Sequence, residues 1–268
     1  MLFRSQDNGN DGLVIAGTAG EAPVLTDDER LSLFKAVVEA VTIPVIAGTG
    51  TNDTAHSIHM TKEASKLGVA GILAVTPYYN RPSQAGIDAH MRAVCAATSL
   101  PVVIYDIPVR TGRKINTPTL AKLANEVKNV AGVKDAAGNP AESARLMTMV
   151  PKSFELISGD DGLTLPLMAV GCTAVIGVAT HWSGVDHQEM FKKWNAGDTA
   201  GARAVNARLV ESFAFETGDD NPNPLPTKAM MNHLGLDVGD ARLPMGPPPA
   251  GLAERAAQVM KNLVAARR

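Results

Sequence analysis

The sequence predicts a parallel α/β protein of the (β/α)8 or TIM barrel class, shortened at its start by one strand–helix unit and followed by helices. Three observations predict this. Short apolar runs such as Leu13-Val14-Ile15-Ala16-Gly17 recur with helical stretches between them, at roughly the thirty-residue spacing of a strand–helix repeat. Each run is apolar on both faces, as the strands of a parallel sheet covered by helices must be. The chain has 268 residues, and a single barrel of this class takes roughly 250.

The elements follow in order. Asp7-Asn8-Gly9-Asn10-Asp11-Gly12 is turn chemistry that leads into the first apolar run. Thr26 with Glu29 forms a capping box, after which Leu31, Phe34, Val38 and Val41 keep helical spacing. Further strands are expected at 43–47, 71–75, 101–105, 130–134, 154–158 and 173–178. Thr117-Pro118, an N-cap with proline at the first helical position, opens one of the intervening helices. That makes seven strands where a closed barrel needs eight. The preferred expectation is a chain that starts after the first unit; an open sheet is the alternative. Past residue 197 the strands stop. Ala200–Phe215, Thr227–Leu234 and Gly251–Ala266 read as helices, with Asn221-Pro222-Asn223-Pro224-Leu225-Pro226 a rigid connector. The expected division is 1–197 for the barrel and 198–268 for a helical region packed on it.

Composition narrows the function. With 25 basic against 27 acidic residues there is no general electrostatic attraction to nucleic acid or to an anionic membrane. Small molecules and copies of the chain itself are the expected partners. Cys95 and Cys172 stand far apart in apolar segments and read as reduced, packed thiols, which suits the cytoplasm. No apolar run approaches the roughly 20 residues that span a bilayer. Met1-Leu2-Phe3-Arg4-Ser5-Gln6 lacks the apolar stretch of a signal peptide.

In a parallel barrel the ligand site lies at the carboxyl ends of the strands. Those ends carry Gly17-Thr18-Ala19-Gly20-Glu21, Thr76-Pro77-Tyr78-Tyr79-Asn80, Tyr105-Asp106-Ile107-Pro108, Lys134-Asp135 and Ser158-Gly159-Asp160-Asp161. All three tyrosines fall there, and of twelve lysines only Lys134 does. An aromatic rim that merely closes the barrel mouth, with Lys134 a solvated strand end, is the plain alternative. An amine held over an apolar barrel loses hydration, so its pKa falls and a neutral nucleophile for a carbonyl becomes available. Tyr105 on the adjacent strand can shuttle protons, with Tyr79 and Thr18 relaying them to solvent. The turn Gly17–Gly20 offers backbone N–H groups and a hydroxyl to a carboxylate. Together these groups suit a keto acid.

Gly17-Thr18-Ala19-Gly20-Glu21, Tyr105-Asp106-Ile107-Pro108-Val109-Arg110-Thr111-Gly112 and Gly132-Val133-Lys134-Asp135, in that order and spacing, resemble the pyruvate-dependent lyase superfamily of dihydrodipicolinate synthases and N-acetylneuraminate lyases. Val75–Pro82, Arg110-Thr111-Gly112 and Ser158–Asp161 are most similar to the dihydrodipicolinate synthase family. The resemblance implies that Lys134 forms a Schiff base with pyruvate and that the enamine attacks aspartate semialdehyde. It implies that Tyr105 is the acid–base group, with Thr18 and Tyr79 completing the relay, Tyr79 from a neighbouring subunit. Arg110 would hold the aldehyde substrate's carboxylate, while Thr18, Ala19, Gly159 and Ile176 would line the pyruvate pocket. The assembly implied is a homotetramer, and no metal or organic cofactor is implied.

The sequence departs from the family in places. Thr18-Ala19 stands where a double threonine is usual, which removes one neutral hydrogen bond of about 0.5–1.5 kcal/mol. In the family's lysine feedback site Asn52 matches, but Asp27, Arg30 and His56 differ, so inhibition by lysine is not expected. A sialic or sugar keto-acid lyase of the same superfamily, and a shortened, non-catalytic subunit, are the rival readings. His56 and His59 have no ligating companion at metal spacing, the glycine-rich turns lack a phosphate-loop lysine, and Met147 and Met149 read as packing.

Overall fold

In the computed structural model, which describes residues 2–268, the order is α1 (Leu2–Asp7), β1 (Leu13–Ile15), α2 (Asp27–Ala40), β2 (Val45–Gly48), α3 (Thr54–Ser65), β3 (Gly71–Val75), α4 (Gln84–Ala96), β4 (Val102–Asp106), α5 (Pro108–Thr111), α6 (Thr117–Glu126), β5 (Val130–Asp135), α7 (Pro140–Met147), β6 (Glu155–Ser158), α8 (Thr164–Met168), β7 (Cys172–Val175), α9 (Thr180–Asn195), α10 (Thr199–Phe215), α11 (Leu225–His233) and α12 (Leu252–Ala266). The seven strands form one parallel sheet in sequential order, the sheet of a (β/α) barrel with helices as connections. Met1, and with it part of the leader reading, lies outside the described residues. No described helix is long and apolar enough to cross a membrane.

Two compact units divide the chain. The first contains Gly12–Gly17 and Thr26–Ile176, hence the whole sheet. The second contains the described residues up to Asp11, Thr18–Leu25 and Gly177–Arg268. The division falls earlier than residue 197 because α9 packs chiefly with α10 and belongs to the helical unit.

Within the sheet unit, β2 to β5 have the twofold burial expected of parallel strands. The edge strands differ: β1 is half-buried throughout and β7 exposes Thr173 and Ala174. The expectation of two apolar-covered faces fails there because an edge strand has a neighbour on one side only. The barrel-side cluster is Leu73, Val103, Tyr105 and Ile107, with Val14, Ile46, Val75, Ala136 and Ile157 packed against it. Side chains from adjacent strands thus fill the interior face of the sheet at successive heights.

The helix starts are chemical. The Thr26 side chain accepts from Glu29 N while Glu29 accepts from Thr26 N, so the capping box is complete. At α6 the cap is Asn116, whose side chain accepts from Thr119 N, and not Thr117. Thr117-Pro118 therefore fill the first two helical positions, where a missing N–H costs nothing. In the helical unit, Pro226 lies in the first turn of α11 and not in a connector. Its carboxyl-terminal helix is fastened by Asp186, a buried carboxylate bonded to Arg208 and Arg267.

Candidate active site

Tyr105 and Lys134 are each the penultimate residue of their strand and are register partners across β4 and β5. Partners in register point to the same face of a sheet, here the interior that Tyr105 shares with Val75 and Ile157. The Lys134 ammonium lies 4.2 Å from the centroid of the Tyr105 ring. Lys134 is only 9% exposed, and burial pulls its pKa from 10.5 down to about 8, partly countered by the Asp161 carboxylate. A ring face attracts the cation weakly compared with lost hydration, which is why the net shift is downward.

Gly159 explains how the lysine is threaded. A Cβ at this position would lie 2.9 Å from Lys134 Cγ and 3.1 Å from Cε, so the lysine stem runs against the glycine backbone. Its own N–H donates to Asp135 O at 2.8 Å, which fixes the approach. Gly159→Ala should push the amine off its line and lower turnover about tenfold or more, because small misplacements of reacting groups are expensive. Steady-state assay checks this; an alanine variant with parental turnover would show that the stem is not so confined.

Ile176 follows β7 and its N–H donates to Ser158 O at 2.9 Å, so it extends the sheet beside the strand that leads to Gly159. Asp161, 1% exposed, lies in a short 3-10 turn whose cap is the Asp160 side chain. Its position on the rim was legible from the sequence and its role was not; its carboxylate is the charge that acts on Lys134. Arg110 is exposed on α5. Thr18 and Ala19 belong to the helical unit, half-buried in the turn where Thr18 O accepts from Glu21 N.

Tyr79 is 88% exposed and holds φ 68°, a left-handed conformation that bulky side chains rarely adopt. Arg81 follows at φ 47°. The loop thus turns the phenol outward, away from its own chain's interior. His56 meets the Asp27 carboxylate of the preceding helix at 2.8 Å. Arg30 is buried, with its guanidinium on Gly48 O at 2.5 Å. The polar atoms that Asp27, Arg30 and His56 present here are directed at protein groups. No cluster of three or more potential metal ligands occurs among the described residues.

A parallel barrel sheet with a buried amine of lowered pKa at its carboxyl rim is an arrangement that suits the class of Schiff-base-forming lyases. Comparison with known proteins supplies the family. The model of the dihydrodipicolinate synthetase family matches residues 5–265, and the chain belongs to that family. It is 44% identical to the 4-hydroxy-tetrahydrodipicolinate synthase of Desulforamulus reducens over 261 residues, 96% of this chain and 87% of that one. It is 47% identical to the same enzyme of Moorella thermoacetica over 243 residues, 89% and 82% of the two chains. A solved dihydrodipicolinate synthase from Bacillus anthracis superposes with TM-score 0.93 at 38% identity, over 97% of this chain and 89% of that one.

Proposed function

We propose that this chain condenses pyruvate with L-aspartate 4-semialdehyde to 4-hydroxy-tetrahydrodipicolinate, with Lys134 as the nucleophile. The observation that carries the reading is the buried Lys134 amine, of pKa about 8, 4.2 Å from the ring of Tyr105 on the neighbouring strand. The neutral amine adds to the pyruvate carbonyl to give a carbinolamine. Loss of water, with a proton returned by Tyr105, leaves the imine. Removal of a methyl proton gives an enamine whose carbon attacks the aldehyde. The amino group of the second substrate then displaces Lys134 and closes the ring.

In this reading Thr18 and Tyr79 relay the proton, Thr18, Ala19, Gly159 and Ile176 line the pyruvate site, and Arg110 pairs with the carboxylate of the aldehyde substrate. A planar guanidinium binds a carboxylate in two parallel bonds, which orients as well as attracts it. The outward Tyr79, together with Val109 at 86% exposure on α5, supports a homo-oligomer, a tetramer, in which Tyr79 reaches a neighbouring copy. Arg113 on one of these loops donates to Arg81 O on the other at 3.3 Å. The two buried free thiols, Cys95 and Cys172, suit the reducing cytoplasm.

Turnover with pyruvate and either aspartate semialdehyde or N-acetylmannosamine, run beside sedimentation, tests the reading. Consumption of the semialdehyde by an assembled protein is expected. Preference for the sugar would replace the reading with a sialic-acid lyase, and an assembled protein inactive on both would make it a non-catalytic subunit.

A further inference from the structure

The segment that carries Arg110 is poorly equipped to hold its own shape. It leaves β4 after Asp106, forms the four-residue α5 from Pro108, and turns at Gly112 with φ 72°. So short a helix has no stability of its own in water. What fixes the segment lies at its feet. Asp106, 1% exposed, accepts from Lys114 Nζ at 3.0 Å and from Ile115 N at 3.2 Å. Its own carbonyl accepts from Ala136 N at 2.9 Å, which ties it to the strand bearing Lys134. The Gln84 side chain grips the far foot, donating to Lys114 O at 2.8 Å and accepting from Asn116 N at 2.9 Å. Between the feet, Thr111 Oγ1 bonds Ile107 O and Arg113 O.

We propose that Asp106 and Lys114 are positioning residues whose ion pair staples segment 107–116, so that Arg110 is presented to the carboxylate of the aldehyde substrate. This rests on the role proposed for Arg110 above. Asp106 is the cross-strand partner of Asp135, itself buried, so the staple also keeps two neighbouring carboxylates compatible. With Lys114 gone, Asp106 is left beside a like charge without its cation. A buried, unpaired carboxylate either takes up a proton or moves toward water. Movement carries the loop, and Arg110 with it. Lys134 and Tyr105 point to the opposite face of their strands, because successive side chains alternate, so pyruvate chemistry is spared.

The experiment compares Lys114→Met, Asp106→Asn/Lys114→Met and Arg110→Ala for KM of both substrates, kcat, and borohydride trapping of pyruvate. Lys114→Met should raise KM for aspartate semialdehyde about tenfold, with trapping and KM for pyruvate within about twofold of the parent. The double variant, neutral and nearly isosteric at 106, should recover most of the loss. An unchanged semialdehyde KM in Lys114→Met beside a raised one in Arg110→Ala overturns the staple and leaves the arginine's role standing. Unchanged values in both overturn the arginine's role and the staple with it. Equal losses for both substrates and for trapping show a merely structural pair and also overturn it.

Discussion

Lys134→Met is expected to lose turnover by at least about a thousandfold, the scale on which deleting a covalent nucleophile is read, and yet to fold more stably than the parent. Both effects follow from one displacement of pKa, from 10.5 to about 8. At pH 7 such an amine is neutral in about one molecule in ten, against about one in three thousand for an ordinary lysine, which is the kinetic benefit of burial. The same burial costs stability. Below pH 8 the folded and unfolded chains both hold the proton, and the cost of burying the charge is present in full. Between pH 8 and 10.5 the folded form has released the proton while the unfolded chain retains it, so stability rises with pH across that window. At about 1.4 kcal/mol per unit the cost is about 3 kcal/mol. Thermal or denaturant unfolding should therefore show a more stable methionine variant at pH 7, and a flatter pH dependence between 8 and 10.5. A variant less stable than the parent at pH 7 would mean that the lysine is not held as a buried cation.

Tyr105→Phe should separate chemistry from binding. The phenylalanine ring can occupy the interior face beside Leu73, Val103 and Ile107 and still face the Lys134 amine, so fold and lysine placement persist. Only the hydroxyl is lost, and with it the proton carrier for carbinolamine formation and dehydration. A positioned acid–base group contributes about a hundredfold or more to rate. The expected result is a kcat lower by that factor, with KM for pyruvate changed little and slow trapping reaching the parental extent. A fall confined to KM would make Tyr105 a binding group instead.

Much of the fold was legible because continuous apolar runs allow few alternatives. The strand at Gly71–Val75 matches from end to end, and the capping box at Thr26 is complete. Helix boundaries are harder to read where neighbouring residues are equally suited to the cap. Asn116 and Thr117 both are, and local chemistry does not rank them. Helix α1 has six residues and α5 has four, too few to show a period. At the site, the sequence already placed Tyr105 and Lys134 on one rim, since strand ends and neighbouring strands can be read in order. Pairings across long separations could not be read. Asp27 meets His56 from a different helix, and the effect of Asp161 on Lys134 comes from a turn after another strand. Nor does anything local to Tyr79 demand φ 68°; a left-handed tyrosine is a property of the folded loop, not of its composition.

In the proposed reaction one amine, Lys134, carries all of the covalent chemistry. Borohydride reduction in the presence of pyruvate, followed by peptide mass spectrometry, shows which amine that is. The expected result is a single reduced pyruvyl adduct on Lys134, formed faster as pH rises toward 8 and absent from Lys134→Met. An adduct on any other lysine, or none in a protein that still turns over aspartate semialdehyde, would contradict it.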